Sequence, residues 1–300
     1  MPVTVRSPAK INLGMSVGSR TLDGYHDVAT VYQAISLYDE IKARDTGDGE
    51  FTVKVTGEGA DVVPLDENNL AVRAARLLAK TCDVDAGVAL SIHKTIAVAG
   101  GLAGGSTDAA GALIACDALW GTGAGRDDLL QLAGQLGSDV SFCLGGGLAI
   151  GTDRGNILSP VLARGSYEWV LAYADMGLST ASVYDELDHL RVNDEVGVPE
   201  VPGPLLAALR SGDPYAVGPA LHNDLAPAAL RLKPSLRRTL ELGDEYGALG
   251  SLVTGSGPTC IFLASDDDHA LDLAVALSSS GLCRSVQRAH GPVTGARVVT

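Results

Sequence analysis

The chain has 300 residues, 46% of them hydrophobic and 19% charged, which is typical of a folded protein with one large domain or two ordinary ones. The formal net charge of −14 argues against nucleic acid or an anionic membrane as the main partner. The five cysteines are widely spaced without a C-x-x-C pair, which excludes a disulfide framework or a zinc site and favours a reduced, cytoplasmic setting. Because residues 1–6 lack an apolar signal region and no run of about 18 apolar residues exists, we expect no membrane span.

The first part of the chain predicts β-strands. Residues 3–6 and 11–17 are expected to form two strands on either side of residues 7–10, where Pro8 predicts either a bend or an edge position. Residues 23–27 (Asp-Gly-Tyr-His-Asp) predict a turn. Further strands are predicted at residues 31–37, 40–43 and 51–55. The aspartates and glycines of residues 45–49 favour a hairpin between the last two of these strands.

The next elements surround a glycine-rich run. Asn69, with Asn68 beside it, can cap a helix that runs to about Lys80. A strand follows at residues 88–92, and the small residues at 109–120 predict a second helix. A strand followed by a glycine loop and a helix N-terminus is an arrangement that binds anions, because the first helical N–H groups are unpaired and lie at the positive end of the helix dipole.

The glycine loop, residues 98–108 (Val-Ala-Gly-Gly-Leu-Ala-Gly-Gly-Ser-Thr-Asp), holds four glycines in six residues. Glycine lets the backbone approach a phosphate closely, and the hydroxyls of Ser106 and Thr107 can bond phosphate or a metal-bound water. The loop fits neither the G-x-x-x-x-G-K-[ST] nor the G-x-G-x-x-G pattern. At this point a glycine loop packed in a core without a ligand remains the alternative.

The end of the first half is helical and then less regular. Residues 126–137 predict a helix, and Asp139 follows at the start of another. The pattern loosens between about residues 153 and 165, where we place a domain boundary. We therefore predict two domains, residues 1–160 and residues 161–300.

The second half alternates strands and helices. In chain order we predict a strand at 169–173, a helix at 182–190, strands at 249–254 and 259–263, a helix at 267–279 and a strand at 285–289. Short helices opened by prolines fill the middle of this half. The β-α-β-β-α-β order predicts an α+β sandwich of the ferredoxin-like kind.

Three separated motifs occur in an order and spacing that extend along the whole chain. They are Pro-Ala-Lys-Ile-Asn-Leu (8–13), Gly-Gly-Leu-Ala-Gly-Gly-Ser-Thr-Asp (100–108) and Val-Thr-Gly-Ser-Gly-Pro-Thr (253–259). Together they resemble the superfamily of small-molecule kinases named after galactokinase, homoserine kinase, mevalonate kinase and phosphomevalonate kinase. The resemblance implies an α+β fold of two domains, ribosomal-S5-like and then ferredoxin-like. It also implies that the active site lies between the domains and that the glycine loop binds ATP.

Within that superfamily the chain resembles the family of 4-diphosphocytidyl-2-C-methyl-D-erythritol kinases. The matching residues are 8–13, Asp-Gly-Tyr-His at 23–26 and Gly-Ser-Asp-Val at 137–140. The resemblance implies phosphorylation of the 2-hydroxyl of the methylerythritol moiety, in the non-mevalonate route to isoprenoid precursors, with ATP and Mg²⁺. Ala97 and Ser141 stand where this family usually has proline, so we expect a softer loop rather than lost chemistry.

Two residues receive catalytic roles from the resemblance. Asp139 is implied to be the base that takes the hydroxyl proton, while a plain helix cap is the alternative from the sequence alone. Lys10 is implied to lie beside Asp139 and orient it, although a lone lysine is ordinarily a surface residue. Asn12 points to the same face of a strand as Lys10 and is implied to contact the substrate hydroxyl.

The resemblance also implies a nucleotide site. Its residues are Asn69, Lys94, Val98, Ala99, Gly100, Gly101, Leu102, Ala103, Gly104, Gly105, Ser106, Thr107 and Asp108. Asn69 and Lys94 are implied to lie near the adenine, but Asn69 is equally well a helix cap and Lys94 is also placed to reach a phosphate. Asp108 has three open roles, which are holding magnesium, contacting the ribose and capping the helix. The magnesium ligands are left unassigned.

Three rings are implied to bind the cytosine of the substrate. Tyr25 is implied to stack on the base, His26 to read its edge by hydrogen bonding, and Tyr184 to stack on its opposite face. The alternatives are two half-covered surface rings for Tyr25 and His26, and packing between domains for Tyr184.

The expected partners are ATP, Mg²⁺ and the small-molecule cytidylyl-methylerythritol substrate, without nucleic acid or membrane, and the expected state is a monomer or weak homodimer. A kinase of mevalonate or homoserine is one alternative, and the Tyr25–His26 pair argues against it because neither substrate carries a base to stack. A nucleotide-binding regulator without activity is another, and the presence of Lys10 and Asp139 argues against it.

Overall fold

The strands of the protein form two sheets, one of eight strands and one of four, in a computed structural model that describes residues 1–299. The strands are β1 (Val3–Arg20), β2 (His26–Asp45), β3 (Phe51–Gly57), β4 (Val88–Lys94), β5 (Leu148–Thr152), β6 (Ile157–Pro160), β7 (Tyr167–Tyr173), β8 (His222–Asn223), β9 (Gly250–Val253), β10 (Cys260–Ala264), β11 (Ser285–Gly291) and β12 (Arg297–Val299). The helices are α1 (Leu70–Thr81), α2 (Gly104–Trp120), α3 (Arg126–Leu136), α4 (Ser138–Gly145), α5 (Thr180–Leu190), α6 (Gly203–Ser211), α7 (Pro214–Val217), α8 (Ala226–Leu232), α9 (Ser235–Glu245) and α10 (Asp267–Ser279). Two single turns of 3₁₀ helix lie at Ala60–Val62 and Gly218–Ala220.

β1 is one continuous strand, so the prediction of two separate strands is wrong, and Pro8 occupies the predicted edge position instead of a bend. A register shift in the pairing with β2 falls between Pro8 and Ala9 and absorbs the irregularity. On its other side β1 pairs with β12 at residues 4–6 and with β8 at residues 14–15, so Pro8 lies in the open stretch between them. A proline is tolerated there because no ladder hydrogen bond needs its missing N–H.

The predicted hairpin between β2 and β3 is also wrong. Within the described chain β4 lies between them, antiparallel to β2 and parallel to β3. A parallel pair needs a crossover connection, and α1 provides it. The predicted cap of α1 is confirmed, because the side-chain oxygen of Asn69 accepts a hydrogen bond from the N–H of Ala71 at 2.9 Å.

The second sheet has the strand order β11-β7-β10-β9, with each neighbouring pair antiparallel. Its chain order, strand then helices, two strands, α10 and a last strand, confirms the predicted ferredoxin-like pattern. After β11 the chain returns to the first sheet, where β12 pairs with β1. The division at residue 160 therefore stays a prediction, since β8 and β12 both belong to the first sheet by pairing.

The hydrophobic core has layers on both sides of the first sheet. Helices α1 to α4 cover one face, with Ile41, Leu90 and Leu113 fully or almost fully buried between them and the sheet. The other face packs against the second sheet through side chains such as Ile11 and Trp169. This packing brings the N-terminal end of α4 and the glycine loop into the same region as β1, where a cleft forms.

Candidate active site

A cavity of about 590 Å³ lies where β1, the glycine loop, α4 and α5 meet. The predicted site residues that line it are Lys10, Asn12, Asn69, Lys94, residues 98–106, Asp108, Asp139 and Tyr184. Tyr25, His26 and Thr107 are predicted site residues that are not part of its lining. The cavity therefore unites the predicted catalytic residues with most of the predicted nucleotide site.

The glycine loop bends sharply before α2. Ala99, Gly101 and Ala103 have φ angles of 55°, 79° and 61°, in the left-handed region. Ala103 is the N-cap of α2 and offers no side-chain acceptor to the first helical N–H groups. Those N–H groups, from Gly104 onward, are consequently available to an anion in the cavity. This geometry agrees with the predicted phosphate-binding role of the loop.

The loop is held from the second sheet by the turn that follows β9. The hydroxyl of Thr259 donates a 2.7 Å hydrogen bond to the carbonyl of Gly100. A Cβ on Gly101 would lie 2.9 Å from the carbonyl oxygen of Thr254, so only glycine fits between these two backbones. The hydrogen bond from Thr259 and the close backbone packing at Gly101 together hold the loop at the boundary between the two sheets.

The two hydroxyls of the loop have different environments. Ser106 is partly exposed and lines the cavity, which leaves its hydroxyl open to a ligand. Thr107 is fully buried, and its hydroxyl donates to the carbonyl of Pro8 at 2.9 Å. Thr107 therefore joins α2 to β1, and its predicted contact with ATP has no support in this geometry.

Lys94 lies beneath the loop in a buried charge triad with Asp39 and Asp108. Its Nζ lies 2.5 Å from Asp39 Oδ2 and 2.7 Å from Asp108 Oδ2. Burial lowers the pKa of Lys94, but the charges of the two carboxylates outweigh it and raise the pKa overall. Burial raises the pKa of Asp108 well above its usual range, although the Lys94 charge opposes this shift. The second oxygen of Asp108, Oδ1, has no hydrogen-bond partner in residues 1–299.

Lys10 and Asp139 meet on the cavity wall beside the loop. Lys10 Nζ lies 3.7 Å from Asp139 Oδ2 and donates a 2.7 Å hydrogen bond to Asn12 Oδ1. Asp139 occupies the first turn of α4, and its side chain is 28% exposed, so it is open to the cavity. The backbone N–H of Lys10 also donates to the carbonyl of Leu102 at 3.2 Å, which ties this residue to the glycine loop. The cavity therefore contains an accessible carboxylate, an ammonium and the N-terminus of α2.

Asn12 and Asn69 use their side chains within the protein. Asn12 accepts from Lys10 and donates through Nδ2 to Thr30 Oγ1 at 2.7 Å. Asn69 caps α1 and donates through Nδ2 to the carbonyl of Pro64 at 2.8 Å. Their predicted ligand contacts stay predictions, while the observed role of Asn12 is to hold the Lys10 ammonium.

Tyr32 is a cavity residue that the sequence motifs did not indicate. Lys10 Nζ lies 5.1 Å from the centre of its ring. Burial, and then the negative charge of Asp139, raise the pKa of Tyr32 well above its usual range, so its hydroxyl stays protonated. Nothing in the local sequence of β2 marks this tyrosine, because its neighbours come from distant parts of the chain.

The three predicted cytosine-binding rings do not form one stack. Tyr25 is 59% exposed, and its ring packs under the guanidinium of Arg154 at 4.2 Å. His26 Nε2 lies 2.8 Å from Asp188 Oδ1, and its ring centre is 5.0 Å from that of Tyr184. Of the three rings, only that of Tyr184 lines the cavity. Arg154 lines it as well, and this cationic residue was not indicated by the motifs.

Two family models match the chain, one described as the GHMP kinases N terminal domain over residues 69–147 and one as GHMP kinases C terminal over residues 205–281. The structure is similar to the crystal structure of a 4-(cytidine 5'-diphospho)-2C-methyl-D-erythritol kinase, with a TM-score of 0.77 and 32% identity, covering 97% of this chain and 98% of that chain. It also resembles a mevalonate kinase from L. major, with a TM-score of 0.77, covering 97% of this chain and 96% of that chain, but the identity of 16% shows the fold alone. Fold and site together define a small-molecule kinase, so the predicted α+β fold and enzyme class are confirmed.

Sequence relatives narrow this class. A 4-diphosphocytidyl-2-C-methyl-D-erythritol kinase from Mycolicibacterium gilvum (strain PYR-GCK) is 53% identical over 300 residues, covering 99% of this chain and 92% of the relative. One from Thermobifida fusca (strain YX) is 52% identical over 303 residues, covering 99% of this chain and 98% of the relative. The chain belongs to the 4-diphosphocytidyl-2-C-methyl-D-erythritol kinase family of the GHMP kinases. Membership in a kinase family implies the use of ATP.

Residues 1–299 contain neither a candidate membrane-spanning helix nor a candidate metal cluster. No helix there is both long and apolar enough to cross a bilayer. No group of three or more His, Cys, Asp or Glu side chains in the same residues is arranged to hold a metal ion.

Proposed function

We propose that the chain transfers the γ-phosphoryl group of ATP to the 2-hydroxyl of 4-diphosphocytidyl-2-C-methyl-D-erythritol, in the non-mevalonate route to isoprenoid precursors. The hydroxyl oxygen forms a bond to the γ-phosphorus, the bond from this phosphorus to the β,γ-bridging oxygen breaks, and ADP leaves. Family membership supports the substrate, because relatives 52% and 53% identical over nearly the whole chain are named for it.

The triphosphate binds at the N-terminus of α2. The unpaired N–H groups from Gly104 onward and the positive end of the helix dipole stabilise its negative charge. The exposed backbone of Gly105 leaves room for close approach, since a Cβ built there meets nothing within 4 Å. Ser106 adds a hydroxyl on the same side of the cavity.

Asp139 accepts the proton of the 2-hydroxyl as the new bond forms. The ammonium of Lys10 lies 3.7 Å from it and adds positive charge beside the transferring group. Asn12 holds Lys10 in this position through their 2.7 Å hydrogen bond. Phosphoryl transfer depends mainly on such positioning and charge stabilisation, so few groups are needed.

Mg²⁺ enters with the triphosphate. Magnesium usually keeps several waters and takes only one or two protein oxygens besides the phosphates. The hydroxyl of Ser106 lines the cavity next to the first N–H groups of α2, and it would hold the ion together with phosphate oxygens and water. When bound, it neutralises charge on the β- and γ-phosphates.

The cytidylyl end of the substrate occupies the side of the cavity that Arg154 and Tyr184 line. The guanidinium of Arg154 matches a diphosphate, which it can bind through paired N–H groups. Its position over the Tyr25 ring, 4.2 Å away, links this cation to the predicted cytosine-binding turn. Tyr184 offers an aromatic face inside the cavity.

The observation that carries the proposal is the contact between Lys10 and Asp139 in a cavity that also contains the N-terminus of α2. The test incubates the purified chain with ATP, Mg²⁺ and, separately, the cytidylyl substrate, mevalonate and homoserine, and measures ADP release. We expect release that depends on the cytidylyl substrate. Release that depends instead on mevalonate or homoserine would overturn the substrate assignment.

A further inference from the structure

The ammonium of Lys94 is fully used within the protein. It has three N–H donors, and three acceptors surround it: Asp39 Oδ2 at 2.5 Å, Asp108 Oδ2 at 2.7 Å and the carbonyl of Gly104 at 3.5 Å. Lys94, Asp39 and Asp108 are 3%, 0% and 4% exposed. A lysine held in this way has no donor left for a phosphate, so its effect on the nucleotide must pass through the groups it binds.

Those groups lie at both ends of the loop that approaches the nucleotide. Asp39 Oδ1 accepts hydrogen bonds from the N–H groups of Thr95, at 2.6 Å, and Ile96, at 2.9 Å, where the chain leaves β4. Gly104 is the first residue of α2, where the chain leaves the loop. One buried triad therefore connects the entry of the loop to its exit. The hydrogen bond from Lys94 to Gly104 joins residues that are ten positions apart.

The loop between these ends needs such support. Ala99 and Ala103 have φ angles of 55° and 61°, in a region that residues with a Cβ seldom adopt. Conformations of this kind persist only where the surrounding structure determines them. The hydrogen bonds that Asp39 Oδ1 accepts from Thr95 and Ile96 fix the backbone directly before this strained segment.

We infer that Asp39, through Lys94 and the N–H groups of Thr95 and Ile96, is a positioning residue that sets the conformation of the glycine loop for ATP, and that Asp39 itself does not touch the nucleotide. The inference rests on the proposed binding of ATP by this loop. It assigns a role to Asp39, which no motif indicated and which is not part of the cavity lining, and it gives Lys94 and Asp108 a role as supports of the loop. Asp39 is fully buried, which separates its role from direct binding.

The test is the substitution Asp39→Ala. We expect the KM for ATP to rise at least tenfold, with the KM for the cytidylyl substrate unchanged, because the loop loses its entry hydrogen bonds while the Lys10 side of the cavity is preserved. The affinity for ATP alone, from titration with a fluorescent ATP analogue, is expected to fall by the same factor. If the variant is folded and its KM for ATP equals that of the parent, or if both KM values rise together, the inference is overturned.

Two further variants separate a specific effect from loss of stability. Asp39→Asn keeps an oxygen that can accept from Thr95 and Ile96, so its KM for ATP is expected to lie between those of the parent and Asp39→Ala. Asp267→Ala removes a carboxylate from an exposed ion pair with Arg288 on the second sheet and is expected to change neither KM. Absence of any turnover by the unmodified chain would count against the proposed function, whereas normal turnover with unchanged ATP affinity in the Asp39 variants would count against this inference alone.

Hydrogen exchange of the unmodified protein tests the same inference if Asp39→Ala does not fold. The amides of Thr95 and Ile96 lie outside β4 but are bonded to a buried carboxylate. We expect them to exchange as slowly as the amides inside β4. Exchange as fast as that of residues 46–49 would show that the Asp39 carboxylate does not hold these two amides, and it would overturn the inference.

Discussion

Asp139 lies in the first turn of α4 with its carboxylate 3.7 Å from Lys10 Nζ, and its side chain is open to the cavity. Asp139→Asn keeps the shape but removes the proton acceptor. A positioned base contributes about 10²–10⁴-fold to a rate, so kcat is expected to fall by a factor in this range. Steady-state kinetics at saturating ATP measure this change, and the KM for ATP is expected to stay close to that of the parent.

The matched control is Asp127→Asn. Asp127 is also an aspartate in the first turn of a helix, α3, but it is exposed and is not part of the cavity lining. It is expected to leave kcat unchanged. A kcat for Asp139→Asn that is as high as that of this control would remove Asp139 as the base.

Tyr25 tests the cytosine end of the site. Its ring is exposed and covered on one face by Arg154, and stacking on a base contributes about 1–3 kcal/mol. Tyr25→Ala is therefore expected to raise the KM for the cytidylyl substrate about five- to hundredfold, with little change for ATP. Tyr25→Phe keeps the ring and is expected to behave like the parent. Tyr215→Ala removes another exposed tyrosine, on α7, and is also expected to behave like the parent. Equal changes in both KM values would exclude the cytosine role.

At the scale of elements, the N-terminus of α2 tests the phosphate site. A Cβ on Gly105 would meet no protein atom within 4 Å, so Gly105→Ala is expected to leave the free energy of unfolding unchanged or raise it by up to about 1 kcal/mol. The same methyl group would occupy the space proposed for the triphosphate. Overpacking costs about 1–3 kcal/mol, so the KM for ATP is expected to rise about five- to hundredfold.

Chemical denaturation and ATP kinetics measure the two effects separately. Gly134→Ala, at an exposed glycine within α3, is the control for helix propensity and is expected to leave the KM for ATP unchanged. An unchanged KM for ATP in Gly105→Ala would contradict the placement of the triphosphate on this helix end.

Elements with a local signal could be predicted from the sequence. The N-cap of α1 at Asn69, the start of α4 before Asp139 and the succession of strands and helices along the second half all follow from neighbouring residues. The pairing of β3 with β4 instead of β2 could not, because a tight turn suggests a hairpin unless the later crossover is known. The continuity of β1 through Pro8 likewise depends on which of its edges are occupied.

In the candidate site, too, some residues could be predicted from local motifs and others depend on the folded structure. The motifs predicted Lys10, Asn12, Asp139 and the glycine loop, and the fold brings them to one cavity. Asp39 lies 55 residues before Lys94, and its importance comes from burial beside a lysine that only the folded sheet supplies. The pKa of Tyr32 similarly depends on burial and on Asp139, which a different element provides.

For the whole molecule, buried cysteine thiols are expected to lower the free energy of unfolding at alkaline pH. Burial raises the pKa of Cys116, Cys143 and Cys260 to about 12, whereas an unfolded thiol ionises near about 8.5. Above that pH the unfolded chain loses protons that the folded chain keeps, so stability present at neutral pH is lost as the pH rises toward 12. Each thiol is expected to contribute a slope of about 1.4 kcal/mol per pH unit.

Urea denaturation under reducing conditions at several pH values above neutrality measures this slope. Cys116→Ala removes one thiol, and the slope is expected to be smaller by about 1.4 kcal/mol per pH unit, whatever the cost of the lost sulfur at neutral pH. A free energy of unfolding that is constant between about pH 8.5 and 10.5 would contradict the buried, protonated state of these cysteines.

The proposed function depends on the cleft between the sheets, where β1 and α4 supply Lys10 and Asp139 and the N-terminus of α2 supplies the proposed anion site. The most direct test is the identity of the product. The purified chain is incubated with ATP, Mg²⁺ and 4-diphosphocytidyl-2-C-methyl-D-erythritol, and the product is examined by ³¹P NMR. We expect one new phosphomonoester on the 2-hydroxyl, with the diphosphate signals of the cytidylyl group preserved and ADP formed in equal amount. A phosphate on another hydroxyl, or ADP formed without a phosphorylated cytidylyl product, would contradict the proposed reaction.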